Sequence, residues 1–174
     1  MGGECELALA GGVKLYLHPV NYVELCGQRM LSREGHCRSF GAGADGFVPG
    51  EGVGVVLLKR LSQARADGDQ IRAVILATSI NHGGKTEGYT VPSPHAQREL
   101  VSQALQKAKL PATAISYVEA HGTGTVLGDP IEVRALTQAF ARQGAGEGHR
   151  CALGSLKSNL GHLEAAGGIP GLTK

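Results

Sequence analysis

The stretch ISYVEAHGTGTVLGDPIE, residues 115–132, changes character twice. ISYVEA, 115–120, is apolar and partly β-branched, and reads as a buried strand. GDPIE, 128–132, reads as a helix start, with Asp129 as N-cap, Pro130 at the first helical position and Glu132 three residues after the cap. This capping box accounts for both carboxylates without chemistry. Between the two signals lie His121, Gly122, Thr123, Gly124 and Thr125. Glycines on both sides of Thr123 are expected to let a substrate approach the backbone closely. Thr123 and Thr125 alternate along an extended chain, so their hydroxyls are expected to share one groove. A histidine between a strand and a helix stands where α/β sheets collect their chemistry.

Working outward, the same design recurs. CALGSL, 151–156, reads as a strand and runs into Lys157, Ser158, Asn159, Leu160, Gly161 and His162. A lysine near two histidines disfavours their charged forms. Neutral imidazoles are good hydrogen-bond donors to a developing oxyanion.

The rest of the chain alternates in kind. CELALAGGV, from Cys5, reads as a short strand turned at Gly11-Gly12, and Pro19–Leu31 as a helix. A loop-rich stretch spans Gly41–Gly50, a strand Val53–Leu58, and a short helix Leu61–Ala66 closed by Asp67-Gly68. IRAVILATSI, Ile71–Ile80, is expected to be a further strand, followed by a polar loop over Asn81–Pro94. Ser93 and Pro94 open a helix with apolar residues at Ala96, Leu100, Val101, Ala104, Leu105 and Ala108. The helix opened at 129 buries Ile131, Ala135, Leu136, Ala139 and Phe140 and ends at Gly144. Strands that are near-continuous apolar runs, alternating with helices, indicate an α/β protein with a sheet covered on both faces.

Composition removes several classes. The 174 residues suffice for one core. Glycine is 27 of them, about twice the ordinary ~7%, in clusters that imply tight turns. Net charge is +2, with the basic residues scattered and aromatics at 4%, which argues against nucleic-acid or anionic-membrane surfaces. Cys5, Cys26, Cys37 and Cys151 form no C-x-x-C pair and no zinc spacing, so free thiols in a reducing compartment and no metal are expected. No apolar run is long enough to span a membrane, the N-terminus lacks signal-peptide and myristoylation patterns, and the chain reads as cytoplasmic. GAGADG, 41–46, matches G-x-G-x-x-G, but Pro49 and a strand rather than a helix follow, which argues against a dinucleotide turn. His18, His36, His95 and His149 read as surface residues, and His82 as a loop residue at a strand end.

EAHGTGTVLGDPIE and KSNLGHLEAAGG, in this order, resemble the two histidine motifs of β-ketoacyl synthases, the condensing enzymes of the thiolase superfamily. FGAGADGFVPGEGVGVVLLKRL resembles a ketosynthase loop and strand. INHGGKTEGYTVPSPHAQ is similar to ketosynthases of modular polyketide synthases whose acyltransferase acts in trans. The resemblance implies a layered αβαβα thiolase-like fold and decarboxylative Claisen condensation of an acyl-cysteine with a malonyl thioester on an acyl carrier protein. It implies His121 and His162 as the catalytic histidines, Lys157 as the lysine that tunes them, and Thr123 and Thr125 as pantetheine-binding residues. No cofactor is implied beyond the carrier's phosphopantetheine. The partners implied are the carrier protein and, in the complete domain, a second copy.

The departures define the segment. The family's nucleophile sits in a turn like T-A-C-S-S, and none of the four cysteines has that setting. Residues 1–174 are therefore expected to be an interior part of the domain, lacking the nucleophile and the C-terminal segment, and inactive alone. Pro170 and Gly167 are expected to break the alanine-rich helix that follows His162 in the family. Alternatives are a fatty-acid-type synthase fragment or a non-catalytic carrier-binding module.

Overall fold

The computed structural model describes residues 5–86, 88 and 91–174. The N-terminal Met-Gly start and Glu87, Tyr89 and Thr90 of the expected polar loop lie outside the described residues. Among the described residues, no helix is long and apolar enough to cross a membrane.

Strands β1 (Leu7–Lys14) and β2 (Gly52–Lys59) form an antiparallel ribbon, Leu7 opposite Lys59 and Lys14 opposite Gly52. The turn expected at Gly11-Gly12 is absent, because both glycines make room inside the ribbon and its packing. A Cβ on Gly11 would lie 2.8 Å from the Gly54 carbonyl oxygen, and one on Gly12 2.9 Å from Ala166 Cα. Only one face of the ribbon is covered. The short 3-10 turn Glu164–Ala166 and helix α6 (Gly168–Thr173) pack there, with Ile169 Cγ2 where a Gly54 side chain would stand. The other face presents Leu7, Leu9, Val13, Val53, Val55 and Leu57 to solvent, so the two-sided cover expected from the apolar runs is not met here.

Helix α1 (Val20–Gly27) stops four residues before the expected end. Arg29 turns left-handed at φ +55, and Leu31 then joins Phe47 in an isolated bridge. Helix α2 (Leu61–Ala66) ends as expected, with Gly68 at φ +71. Residues 71–80, expected as a strand, form no ladder. Among the described residues none of their N–H groups donates to a backbone carbonyl, and no strand in the described chain pairs with them.

Helix α3 (Pro94–Ala108) begins where its sequence says, with Ala96 N donating to Ser93 Oγ at 3.2 Å. It packs on helix α4 (Gly128–Arg142). Ala135 and Ala139 are 1% and 0% exposed, small enough to bring the axes close, and Leu105 fills the seam. Arg142 of α4 bonds Glu99 of α3 at 2.6 Å. Strand β3 (Tyr117–Glu119) pairs in parallel with β4 (Ala152–Gly154), as the repeated strand-then-loop pattern requires.

Candidate active site

Two neighbouring parallel strands end at the same edge of their sheet, and that shared edge assembles the site. His121 follows β3. Lys157 follows β4 and opens helix α5 (Lys157–Leu160), after which Gly161 (φ +77) turns the chain into His162. The His162 backbone is pinned to the segment after Phe47: its N–H donates to Val48 O at 2.7 Å, and its carbonyl accepts from Gly50 N at 3.0 Å. The rings of His121 and His162 meet edge to face, centroids 5.3 Å apart, and the Phe47 ring also packs on His162, centroids 5.0 Å apart. His121, Lys157 and His162 line one cleft of about 530 Å3, together with Leu156, Leu163 and Pro170. The three catalytic candidates read from sequence are thus brought together.

The electrostatics favour neutral imidazoles. His162 is pushed down to about 4 by burial first, then by His121 and Lys157. Burial and then Lys157 also lower His121. Burial lowers the Lys157 ammonium, while Glu132, Cys37 and Glu119 pull it the other way. Among the described residues Lys157 Nζ has no hydrogen-bond or ion-pair partner. Glu164 N donates to His162 Nδ1 at 3.0 Å. A ring nitrogen that accepts carries no proton, so the neutral ring has its proton on Nε2, as a donor.

The capping box is corrected. Helix α4 starts at Gly128 with Leu127 as N-cap and no side-chain cap. Asp129 is 5% exposed and reaches backward instead, accepting from Gly124 N at 3.1 Å, Thr125 N at 3.4 Å and, across the fold, Phe40 N at 2.7 Å. Glu132 accepts from His121 N at 2.7 Å and Gly122 N at 2.8 Å. The two carboxylates hold the histidine loop, and Pro130 sits in the first turn, where its missing N–H has no intrahelical role.

The glycines of the loop are filled by the protein itself. A Cβ on Gly122 (φ +43) would lie 2.6 Å from Ser155 Cβ and 2.9 Å from Phe40. One on Gly124 (φ +72) would lie 2.9 Å from Arg38 N. They therefore serve left-handed backbone and close packing at these positions. The GAGADG segment buttresses the same loop, with Gly46 N donating to Gly124 O at 2.9 Å.

Thr123 and Thr125 do come together, hydroxyl oxygens 3.3 Å apart, but Thr123 is buried at 7% exposure, and neither lines the cleft with the histidines. Thr125 Oγ1 also accepts from Gly128 N at 3.2 Å, at the start of α4. Cys37 is a residue that sequence reasoning left without a place. Its buried thiol donates to Thr123 O at 3.2 Å, and burial raises its pKa. Ser39 Oγ donates to Gly122 O at 2.5 Å. His82 is exposed and lies away from the cleft, its Nδ1 accepting from Gly84 N. His149, expected at the surface, is half-buried beside Phe140, ring centroids 6.0 Å apart. His18, His36 and His95 are exposed.

Nor does Pro170 break the chain after His162. It is the third residue of α6, again inside the first turn. Gly167 takes an ordinary helical φ of −58° and lies beside the His162 ring.

Comparison with known proteins agrees with this arrangement. Residues 1–64 match the family model of the β-ketoacyl synthase N-terminal domain, and residues 72–174 that of the β-ketoacyl synthase C-terminal domain. The chain is 58% identical over 172 residues to polyketide synthase ThaG of Burkholderia thailandensis, and 57% identical to polyketide synthase PksM of Bacillus subtilis. These alignments cover 99% of the chain but only 3% and 4% of those proteins. Among solved structures, it resembles the oxazolomycin ketosynthase domain OzmH KS7 of Streptomyces albus JA3453 at TM-score 0.95 and 50% identity, covering 98% of this chain and 29% of that one. It resembles the ketosynthase from module 6 of the bacillaene synthase of Bacillus subtilis 168 at TM-score 0.93 and 47% identity, covering 97% of this chain and 30% of that one. The thiolase-like α/β fold expected from the motifs is therefore the fold of this segment. Its two halves carry the two domain signatures of one enzyme family, and the chain belongs to the β-ketoacyl synthases.

Proposed function

We propose that the chain is an interior part of a polyketide-synthase ketosynthase, of the kind served by an acyltransferase in trans, and that it supplies the groups that decarboxylate the extender. The observation that carries this reading is the pair of neutral imidazoles 5.3 Å apart in one cleft with an unpaired lysine. A malonyl thioester on the carrier's phosphopantetheine loses CO2 by breaking the C–C bond to its carboxylate. The electron pair moves into the thioester as an enolate, whose oxygen accepts hydrogen bonds from His121 and His162. The enolate carbon then attacks an acyl thioester on a cysteine, and the thiolate departs. Lys157 adds to burial in keeping both histidines neutral. The assignment of Thr123 and Thr125 to the pantetheine arm rests on the motif resemblance alone, since their hydroxyls bond each other and do not line the histidine cleft.

The nucleophilic cysteine lies outside residues 1–174 in this reading. Cys37 is buried and bonded to backbone, and none of the four cysteines lines the cleft. Without a thiolate no acyl-enzyme forms, so the segment alone is inactive in condensation. The complete domain works in the cytoplasm as a homodimer with an acyl carrier protein. The test is malonyl-carrier decarboxylation by the complete domain. Replacing either His121 or His162 by Ala is expected to slow it by about 10²–10³-fold, the usual loss of one oxyanion donor. Full retention of the rate in both variants overturns the assignment.

A further inference from the structure

His162 is useful as a donor only while its proton stays on Nε2. The bond that fixes this comes from the backbone N–H of Glu164, 3.0 Å from Nδ1. Glu164 is an unusual place for such a donor. Its φ is +39°, a left-handed conformation in a residue that is not glycine. Such backbone is strained and persists only where neighbouring contacts hold it.

The contact that holds it comes from a distant part of the chain. Lys14 Nζ, at the end of β1, forms an ion pair with Glu164 Oε2, the two side chains being 19% and 28% exposed. The same ammonium lies 4.3 Å over the Tyr16 ring. Leu163 and Ala166, on either side of Glu164, pack against Gly52 and Gly12 of the ribbon, so the turn is docked, and Lys14 and then Tyr16 hold the Glu164 carboxylate. If Glu164 relaxed to ordinary backbone, its N–H would swing away from Nδ1, and the ring would be free to move its proton or to rotate.

The geometry points to Lys14 and Glu164 as positioning residues, an ion-paired clamp that keeps the strained turn closed and thereby fixes His162 with its proton on Nε2. This rests on the reading of His162 as an oxyanion donor. Lys14 lies outside the cleft, whereas Glu164 lines it and bonds the His162 ring through its backbone N–H. The clamp joins the ribbon, which lacks catalytic residues, to the histidine the chemistry needs.

The experiment uses the complete ketosynthase domain labelled with 15N-histidine. It reads the His162 ring-nitrogen shifts, assigned by their loss in His162→Gln, and the rate of malonyl-carrier decarboxylation. Lys14→Met and Glu164→Gln are each expected to move His162 from a single Nε2–H form to a mixture and to slow decarboxylation about fivefold. The decisive variant is Glu164→Gly. Glycine holds the left-handed turn without strain and keeps the N–H, so it should restore the single tautomer and make a further Lys14→Met change silent. A general loss of packing gives no such rescue. An unchanged tautomer in Lys14→Met and Glu164→Gln overturns the clamp, as does failure of Glu164→Gly to rescue. If the unmodified domain does not decarboxylate the malonyl thioester, the functional reading fails, while the tautomer measurement still decides the clamp.

Discussion

At the scale of single residues the proposed role of His121 and His162 requires neutral imidazoles, and the causes of their neutrality separate by substitution. Burial first, then His121 and Lys157, push His162 down to about 4. Removing the ammonium while keeping its stem, as in Lys157→Met, should raise that value, yet leave it below the ordinary 6.5 because burial remains. The sign carries into stability. Above about 6.5 His162 is neutral in both the folded and the unfolded chain. Between about 6.5 and 4 only the unfolded chain takes the proton, so stability falls as pH falls through that window. Lys157→Met should narrow the window from its lower end. An NMR titration of His162 checks this, and a value unmoved or lowered by the substitution would falsify the role given to Lys157.

Elements show where local chemistry decides and where it does not. Pro170 looks like a helix breaker in the linear sequence, but it occupies the first turn of α6, where no intrahelical bond is lost. Pro170→Ala should therefore cost at most about 1 kcal/mol, through the greater freedom of the unfolded chain. A gain of about 3 kcal/mol, seen in urea denaturation, would show that the proline was breaking the helix after all. Helices α2 and α3 were legible because their signals, Asp67-Gly68 and Ser93-Pro94, act within one turn. The trio His121, Lys157 and His162 was legible for the same reason, since each member lies within three residues of a strand end or next to a glycine turn. What stayed hidden depends on distant partners. Cys37 meets Thr123 at a separation of 86 residues, and Asp129 meets Phe40 at 89. Glu132 has the spacing of a cap for its own helix, but its carboxylate accepts from the backbone of His121 and Gly122. The two glycines of β1 look like a turn in the linear sequence because what crowds them lies far along the chain: Gly54 and Val55 for Gly11, and Ala165 and Ala166 for Gly12.

At the scale of the whole molecule, the chain spans 29% and 30% of the two ketosynthase chains compared above, and it leaves apolar surface open. Leu9 and Val53, on the bare face of the ribbon, are 74% and 75% exposed, and Ile80 is 92% exposed. Residues 71–80 have the composition of a buried strand, but among the described residues their N–H groups find no backbone acceptor. Side chains alone tie the end of this stretch to α3: Lys107 to Thr78 O, and Asn81 to Ala96 O. An extended apolar segment with unpaired amides is a template for another chain. Hydrogen exchange on the isolated 174 residues should therefore find 71–80 nearly unprotected at low concentration, while β1 and β2 exchange slowly. Raising the concentration should protect 71–80 as copies pair along this edge, and light scattering should rise in step. Within the complete domain the same amides should be protected at every concentration, because a buried strand must satisfy them. Protection of 71–80 in the dilute isolated chain, independent of concentration, would mean that the segment finds a ladder within its own 174 residues, and the open-edge account would fail.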